Sequence, residues 1–132
     1  MPYKILFIDD EVEFSDIMSK RIESWGYSVV CALDAKKAIE IINKENFDII
    51  ILDYKLTDID GISLLKRIRK INKKVSVVMF TAYPDEKVMK SADKLGISSF
   101  VPKMNISTDD QTELLKTSLG MIAKKGVKNS AE

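Results

Sequence analysis

Four short stretches of this chain carry side chains able to do chemistry: Asp9-Asp10-Glu11, Asp53, Thr81-Ala82 and Lys103. Together they offer carboxylate oxygens, a hydroxyl and an ammonium. No histidine occurs in the 132 residues, which excludes a catalytic imidazole, an imidazole metal ligand and a phosphohistidine carrier. Clustered carboxylates repel one another unless a cation neutralises them. Oxygen ligands without His or Cys suit a hard ion that keeps several waters, most naturally Mg²⁺. Such an ion also offsets the charge on an incoming phosphoryl group.

Each stretch follows an apolar run of strand length. Ile5-Leu6-Phe7-Ile8 precedes Asp9, Asp48-Ile49-Ile50-Ile51-Leu52 precedes Asp53, and Val75-Ser76-Val77-Val78-Met79-Phe80 precedes Thr81. Ser28-Val29-Val30-Cys31 and the weaker Ile97-Ser98-Ser99-Phe100-Val101 complete five strands, the last followed by Lys103. The first, third and fourth are apolar on both alternations, as strands covered on both faces of a parallel sheet must be. Helical spacing fills the gaps. In 11–25, Val12, Ile17, Met18, Ile22 and Trp25 can share a face, with Gly26 as a stop. In 35–45, Asp34 is the N-cap and Ala38, Ile39, Ile41 and Ile42 are the apolar positions. Residues 61–71 carry Ile62, Leu64, Leu65, Ile68 and Ile71; 84–95 open on Pro84 and stop before Gly96. A helix over 109–124 begins at a Thr108/Gln111 capping box. Five strands alternating with helices predict a doubly wound α/β domain with a parallel sheet and helices on both faces. In such sheets ligands bind beyond the carboxyl ends of the strands. All the chemical stretches lie there.

Each residue also has an ordinary reading. Asp10 and Glu13 have the spacing of a simple helix cap, Asp53 could only start a turn, Thr81 could be a packed hydroxyl, and Lys103 a solvated charge. Accident does not account for all of them standing at strand ends. Other α/β chemistries lack their parts. No G-x-G-x-x-G or G-x-x-x-x-G-K-[ST] follows a strand, no G-x-S-x-G elbow is present, and no histidine could serve a serine triad. A flavin site calls for hydroxyls and amides after strand one, where this chain has carboxylates. Hydrolysis by paired carboxylates leaves Thr81 and Lys103 without a role.

The formal charge is +1, with 21 basic and 20 acidic residues, which argues against a whole-domain nucleic-acid binder. Residues 1–66 hold 8 basic and 13 acidic side chains, whereas 67–132 hold 13 basic and 7 acidic. Lys87, Lys90 and Lys94 lie on one predicted helix, as a docking surface or a solvated face. The single cysteine, Cys31, can form no internal disulfide, and no apolar run is long enough for membrane insertion. The expectation is one cytoplasmic domain over 1–124 with a polar, frayed tail at 125–132.

The combination Ile8-Asp9-Asp10-Glu11, Leu52-Asp53-Tyr54-Lys55 through Asp60-Gly61, Phe80-Thr81-Ala82 and Phe100-Val101-Pro102-Lys103 resembles the receiver domain of two-component response regulators. The likeness covers roughly residues 3–123, and it is the ordered set of motifs that is specific. It implies a flavodoxin-like sheet of order 2-1-3-4-5. It implies Asp53 as phosphoacceptor, taking its group from a sensor histidine kinase, a histidine phosphotransfer protein or a small phosphodonor. Asp9, Asp10, Asp53 and the backbone carbonyl of Lys55 would hold Mg²⁺ or Mn²⁺. Thr81 and Lys103 would contact phosphoryl oxygens, and Phe100 would report the switch by turning inward. The resemblance further implies self-catalysed phosphorylation rather than a turnover enzyme, a downstream protein target, no direct nucleic-acid contact, and a possible phosphorylation-linked dimer. A phosphorylation-independent interaction module is the alternative, and a metal-dependent phosphohydrolase a more distant one.

The chain departs from that family in two places. Thr57 stands where proline is usual, four residues after the phosphoacceptor, and Lys103 is followed by Met104 instead of Pro, with Pro102 before it. A cis bond without proline costs about 2.5–4 kcal/mol, so either a trans loop or a strained bond is expected there. Lys55 and Tyr83 occupy positions that tune phosphoryl lifetime in the family, and a cation and a bulky ring there predict slow self-hydrolysis.

Overall fold

A computed structural model describes residues 3–82, 85–103 and 109–130. In chain order the elements are β1 (Lys4–Ile8), α1 (Val12–Ser24), β2 (Ser28–Ala32), α2 (Ala35–Lys44), β3 (Ile49–Leu52), α3 (Gly61–Ile71), β4 (Ser76–Thr81), α4 (Glu86–Lys94), β5 (Ser99–Pro102) and α5 (Asp109–Ser130). The strands form one parallel sheet ordered β2-β1-β3-β4-β5, the doubly wound arrangement the sequence predicts.

The two-residue period of the strands sorts their side chains into two cores. Leu6, Ile8, Ile50, Leu52, Val77 and Met79 face α2, α3 and α4, where Ala38, Leu64, Leu65, Ile68 and Ala92 are buried with them. Ile5, Phe7, Ile49, Ile51, Val78, Phe80 and Val101 face α1 and α5, against Phe14, Met18, Ile22, Leu115 and Leu119. Because β1, β3 and β4 are central and covered on both sides, they read as continuous apolar runs.

Helix α1 differs from expectation in its buried stripe. Val12 is 62% exposed and Ile17 is exposed, whereas Phe14 is buried with Ser15, Met18 and Ile22. Phe14, Met18 and Ile22 recur every four residues and meet the sheet together. Burying a phenylalanine side chain is worth about 1.5–3 kcal/mol, so the stripe that contains the ring wins the core face. Ile71, expected inside, is also exposed at the end of α3. The helix stops after α1 at Gly26, whose φ of 100° is open to glycine at no steric cost. Asp34 caps α2 as expected, its carboxylate accepting from the Lys37 N–H at 2.7 Å. Helix α4 begins at Glu86 with Asp85 as its cap, later than Pro84 suggested. Helix α5 runs on to Ser130, past the expected end at 124. An isolated Gly126 costs a helix only about 1 kcal/mol, and no proline interrupts the segment. Thr108 of the expected capping box, Pro84, Tyr83 and the Lys103–Met104 bond lie outside the described residues; no cis peptide occurs among those described.

Candidate functional site

The ladder hydrogen bonds continue one residue past the strands and thereby fix the site. Ile8 and Leu52 are register partners, and the Asp53 N–H donates to the Ile8 carbonyl at 3.1 Å. The Asp9 N–H donates to Ala32 at 3.1 Å, and the Lys103 N–H to the Thr81 carbonyl at 2.7 Å. Asp9, Asp53 and Lys103 therefore all leave the same edge of the sheet, at the carboxyl ends of β1, β3 and β5.

Carboxylate oxygens of Asp9, Asp10, Glu11 and Asp53 lie within 4.8 Å of one another. The Lys103 ammonium stands among them, donating to Asp9 Oδ2 at 2.8 Å, Glu11 Oε1 at 2.8 Å and Asp53 Oδ2 at 3.4 Å. Asp9 and Asp53 are buried, and the Lys103 side chain is 8% exposed. Burial raises the Asp9 carboxyl above its ordinary pKa, against the opposing pull of Lys103 and of the Glu11 N–H. Burial also disfavours the Lys103 ammonium, but its hydrogen bonds to Asp9 and Glu11 and the charge of Asp53 outweigh that and hold its pKa well above the usual lysine value. The amine stays charged.

One ammonium stands against four carboxyl groups, an excess of acidic oxygen in one place. A divalent cation answers that excess, and the donors are all oxygen, so the residues fit a hard ion. A cleft of about 470 Å³ opens over the cluster, bounded by Asp10, Asp53, Lys55, Thr57, Ala82 and Lys103. It is large enough for a phosphoryl group and its waters.

Asp10 is not used as a helix cap: the N-cap position of α1 falls on Glu11, with no side-chain cap bond, which leaves the Asp10 carboxylate at the cleft. Thr81 is fully buried at the end of β4, beside the Lys103 backbone. Lys55 is exposed at the cleft and forms an isolated bridge with Asp60 across the loop after β3. Phe100 is not in the cleft; it is half-buried against the α2–α4 core and borders a separate groove with Met89 and Ile97.

Other supports carry little local signal. Asp58 leaves the β3–α3 loop to accept from the Ala35 and Lys36 N–H groups at 3.1 and 3.0 Å, holding the start of α2. Burial is the largest single influence and works against its charged form, but the backbone donors together prevail and depress its pKa. Asp60 caps α3 through the Ser63 N–H at 2.9 Å. Gly61 then passes so close to the loop that a Cβ there would stand 2.5 Å from the Asp53 carbonyl oxygen. At the opposite end of the sheet, Arg69 donates to the carbonyls of Leu95 at 2.7 Å, Val75 at 2.7 Å and Gly96 at 2.9 Å, with a longer bond to Asn72.

Residues 5–116 match the family described as response regulator receiver domain. Sporulation initiation phosphotransferase F of Bacillus subtilis is 31% identical over 96 residues, covering 73% of this chain and 77% of that protein. The transcriptional regulatory protein ZraR of Escherichia coli is 30% identical over 99 residues, 75% of this chain; the match spans only 22% of that longer protein. Among solved structures, a CheY-like receiver domain protein from Methanospirillum hungatei superposes with a TM-score of 0.82 at 26% identity, covering 95% of this chain and 99% of that one. A two-component response regulator from Clostridium difficile gives 0.84 at 25%, covering 92% and 96%.

Proposed function

This chain belongs to the receiver domains of two-component response regulators, and on that premise we propose that Asp53 is the residue that accepts the phosphoryl group. The supporting observation is the Lys103 ammonium held among Asp9, Glu11 and Asp53 beneath an open cleft. An Asp53 carboxylate oxygen attacks phosphorus, a P–O bond forms, and the P–N bond of a phosphohistidine breaks with its electron pair leaving on the imidazole nitrogen. The product is an acyl phosphate. Asp9, Asp10 and Asp53, with the Lys55 carbonyl, would hold Mg²⁺ or Mn²⁺, which when bound supplies positive charge against the phosphoryl oxygens. Lys103 donates its ammonium, and Thr81 its hydroxyl, to separate phosphoryl oxygens. Those contacts exist only in the phosphorylated state, so they favour one of two conformations of the β4–α4 and β5 region, with Phe100 moving between them.

The donor is a sensor histidine kinase or a histidine phosphotransfer protein, and the readout is a downstream protein or a phosphorylation-linked second copy. One relative is named as a phosphotransferase, which supports a place in a phosphate relay. The match to the transcriptional regulator is confined to about a fifth of that protein, so no transcriptional output is carried over. The chain acts on itself once per cycle and is not a turnover enzyme. No helix among the described residues is long and apolar enough to cross a membrane, which is compatible with the cytoplasmic setting of the proposed donor. The phosphorylation-independent module gains no support from this site.

The decisive experiment is intact mass after incubation with a small phosphodonor, with and without Mg²⁺, on the wild type and on Asp53→Asn. A single Mg²⁺-dependent addition that disappears in the variant is expected. Equal addition in the variant overturns Asp53 as acceptor, and no addition to a folded, Mg²⁺-binding wild type overturns the reading as a whole.

A further inference from the structure

The chemistry above uses no aromatic ring, yet one lies directly beneath the site. Phe14 of α1 is 4% exposed and packs against Phe7 and Phe80, with ring centroids 6.2 and 5.8 Å away. Phe7 and Phe80 are themselves 6.5 Å apart and close the triangle. One face of the Phe14 ring meets the Lys103 ammonium at 4.2 Å. An ammonium within about 6 Å of a ring centroid is attracted by the ring's negative face, and more strongly where water is excluded. Glu11 stands three residues before Phe14, on the same face of the first turn, and binds the same ammonium at 2.8 Å.

We propose that Phe14 and Glu11 form a seat on α1 that keeps Lys103 over the site during phosphoryl transfer, a positioning role that rests on the phosphoacceptor reading. In the resting chain the ammonium has three carboxylate partners. The proposed reaction withdraws two of them. Asp9 would hold the cation when it is bound, and Asp53 becomes an acyl phosphate. Until a phosphoryl oxygen takes their place, a lysine on a flexible four-carbon stem is free to swing into water, because nothing in its own side chain fixes the head group. The seat removes that freedom. Phe14 cannot follow the lysine out, being locked by two other rings, and Glu11 is carried by the same helix. The chain also places Met104, not a proline, after Lys103, so no pyrrolidine ring fixes the following backbone. Anchorage from α1 matters more in this chain for that reason.

The test separates electrostatics from packing. Phe14 is replaced site-specifically by 4-fluoro-, 3,5-difluoro- and 3,4,5-trifluorophenylalanine, which drain the ring's negative face with little change in shape. Thermal melting checks the fold. Two rates are read with Mg²⁺ present: phosphoryl uptake from a small phosphodonor, and acylation of Lys103 by an amine-reactive probe followed by peptide mass. Uptake should fall stepwise along the series, by ~5- to 30-fold at the trifluoro ring, while Lys103 acylation rises in step. Flat rates in well-folded variants overturn the seat. Glu11→Gln should slow uptake and raise the Lys103 acylation rate, since the ammonium loses its 2.8 Å partner on α1; a folded Glu11→Gln protein with wild-type acylation overturns the part given to Glu11. A wild type without phosphoryl uptake defeats the phosphoacceptor reading, while the acylation series still decides whether Phe14 holds the ammonium.

Discussion

A β-carbon at Gly61 would lie 2.5 Å from the carbonyl oxygen of Asp53 and 2.7 Å from the Cα of Tyr54. Both are backbone atoms of the loop that carries the proposed acceptor, so no flexible side chain can yield. Gly61→Ala should therefore push the loop away from α3, destabilising the domain by about 1–3 kcal/mol. Phosphoryl uptake should fall more than the stability loss accounts for, because Asp53 itself is displaced. Urea denaturation and uptake rates on the same variant check both effects. A wild-type rate in Gly61→Ala would show that the close approach does not set the position of Asp53.

Lys103 is the internal counter-charge of the acidic cluster. Replacing it by Met leaves Asp9 and Asp53 buried without their cation, and breaking a buried pair in this way costs roughly 3–5 kcal/mol. Without the ammonium the Asp9 pKa rises further, so the variant should regain stability as pH falls through that raised value, levelling off below the ordinary carboxyl range. Added Mg²⁺ should raise the variant's Tm more than the wild type's, since the ion then meets no resident cation. Differential scanning calorimetry with and without chelator reads each of these shifts.

Asp58 ties the β3–α3 loop to α2 through two backbone N–H groups. Its removal should cost about 1 kcal/mol, as loss of a helix cap typically does. The folded-state pKa lies below the ordinary 3.8, so the stability it contributes is complete above that value and is lost as pH falls through it toward the depressed one. The gap between wild type and Asp58→Ala should thus close in acid. Denaturation midpoints from pH 7 to pH 2.5 would show it, and a constant gap would mean that the carboxylate charge contributes nothing.

Arg69 reaches carbonyls at the end of α3, the start of β4 and the end of α4. Arg69→Ala leaves those acceptors unpaired in a partly buried site, at a cost of roughly 2–4 kcal/mol. Arg69→Lys should recover little, because a single ammonium cannot span acceptors set for a fork. Amide exchange should accelerate around Leu95–Ile97 before it does in β1 or β3.

Lys55 stands exposed at the mouth of the cleft. If it impedes attacking water, Lys55→Ala should shorten the phosphoryl lifetime severalfold, with the initial uptake rate little changed. Decay after removal of the phosphodonor measures this, and a longer lifetime in the variant would reverse the assignment.

Much of this is legible in the amino-acid sequence. Parallel pairing follows from apolar runs with no polar alternation, and the site follows because Asp9, Asp53 and Thr81 each end such a run and Lys103 follows the weaker fifth one. What escaped was whatever depends on a distant partner. Helical spacing in α1 allows more than one apolar stripe, and only the facing sheet selects Phe14, Met18 and Ile22 over Val12 and Ile17. Asp58 and Arg69 look like ordinary surface charges in sequence because their acceptors and donors come from other elements. Gly61 did carry a signal, a glycine directly after a capping Asp60 at a helix start, where nothing local requires one. The ammonium shared by Glu11 required the full fold, since the two residues lie 92 positions apart.

That separation also bears on the order in which the molecule is made. A ribosome delivers the four carboxylates early, from Asp9 to Asp53, and the ammonium that binds three of them 50 residues after the last. Until Lys103 emerges, a nascent chain that closes β1 against β3 confronts its own unbalanced charge. A chain cut before β5 therefore keeps all four carboxylates and lacks the ammonium that binds Asp9, Glu11 and Asp53.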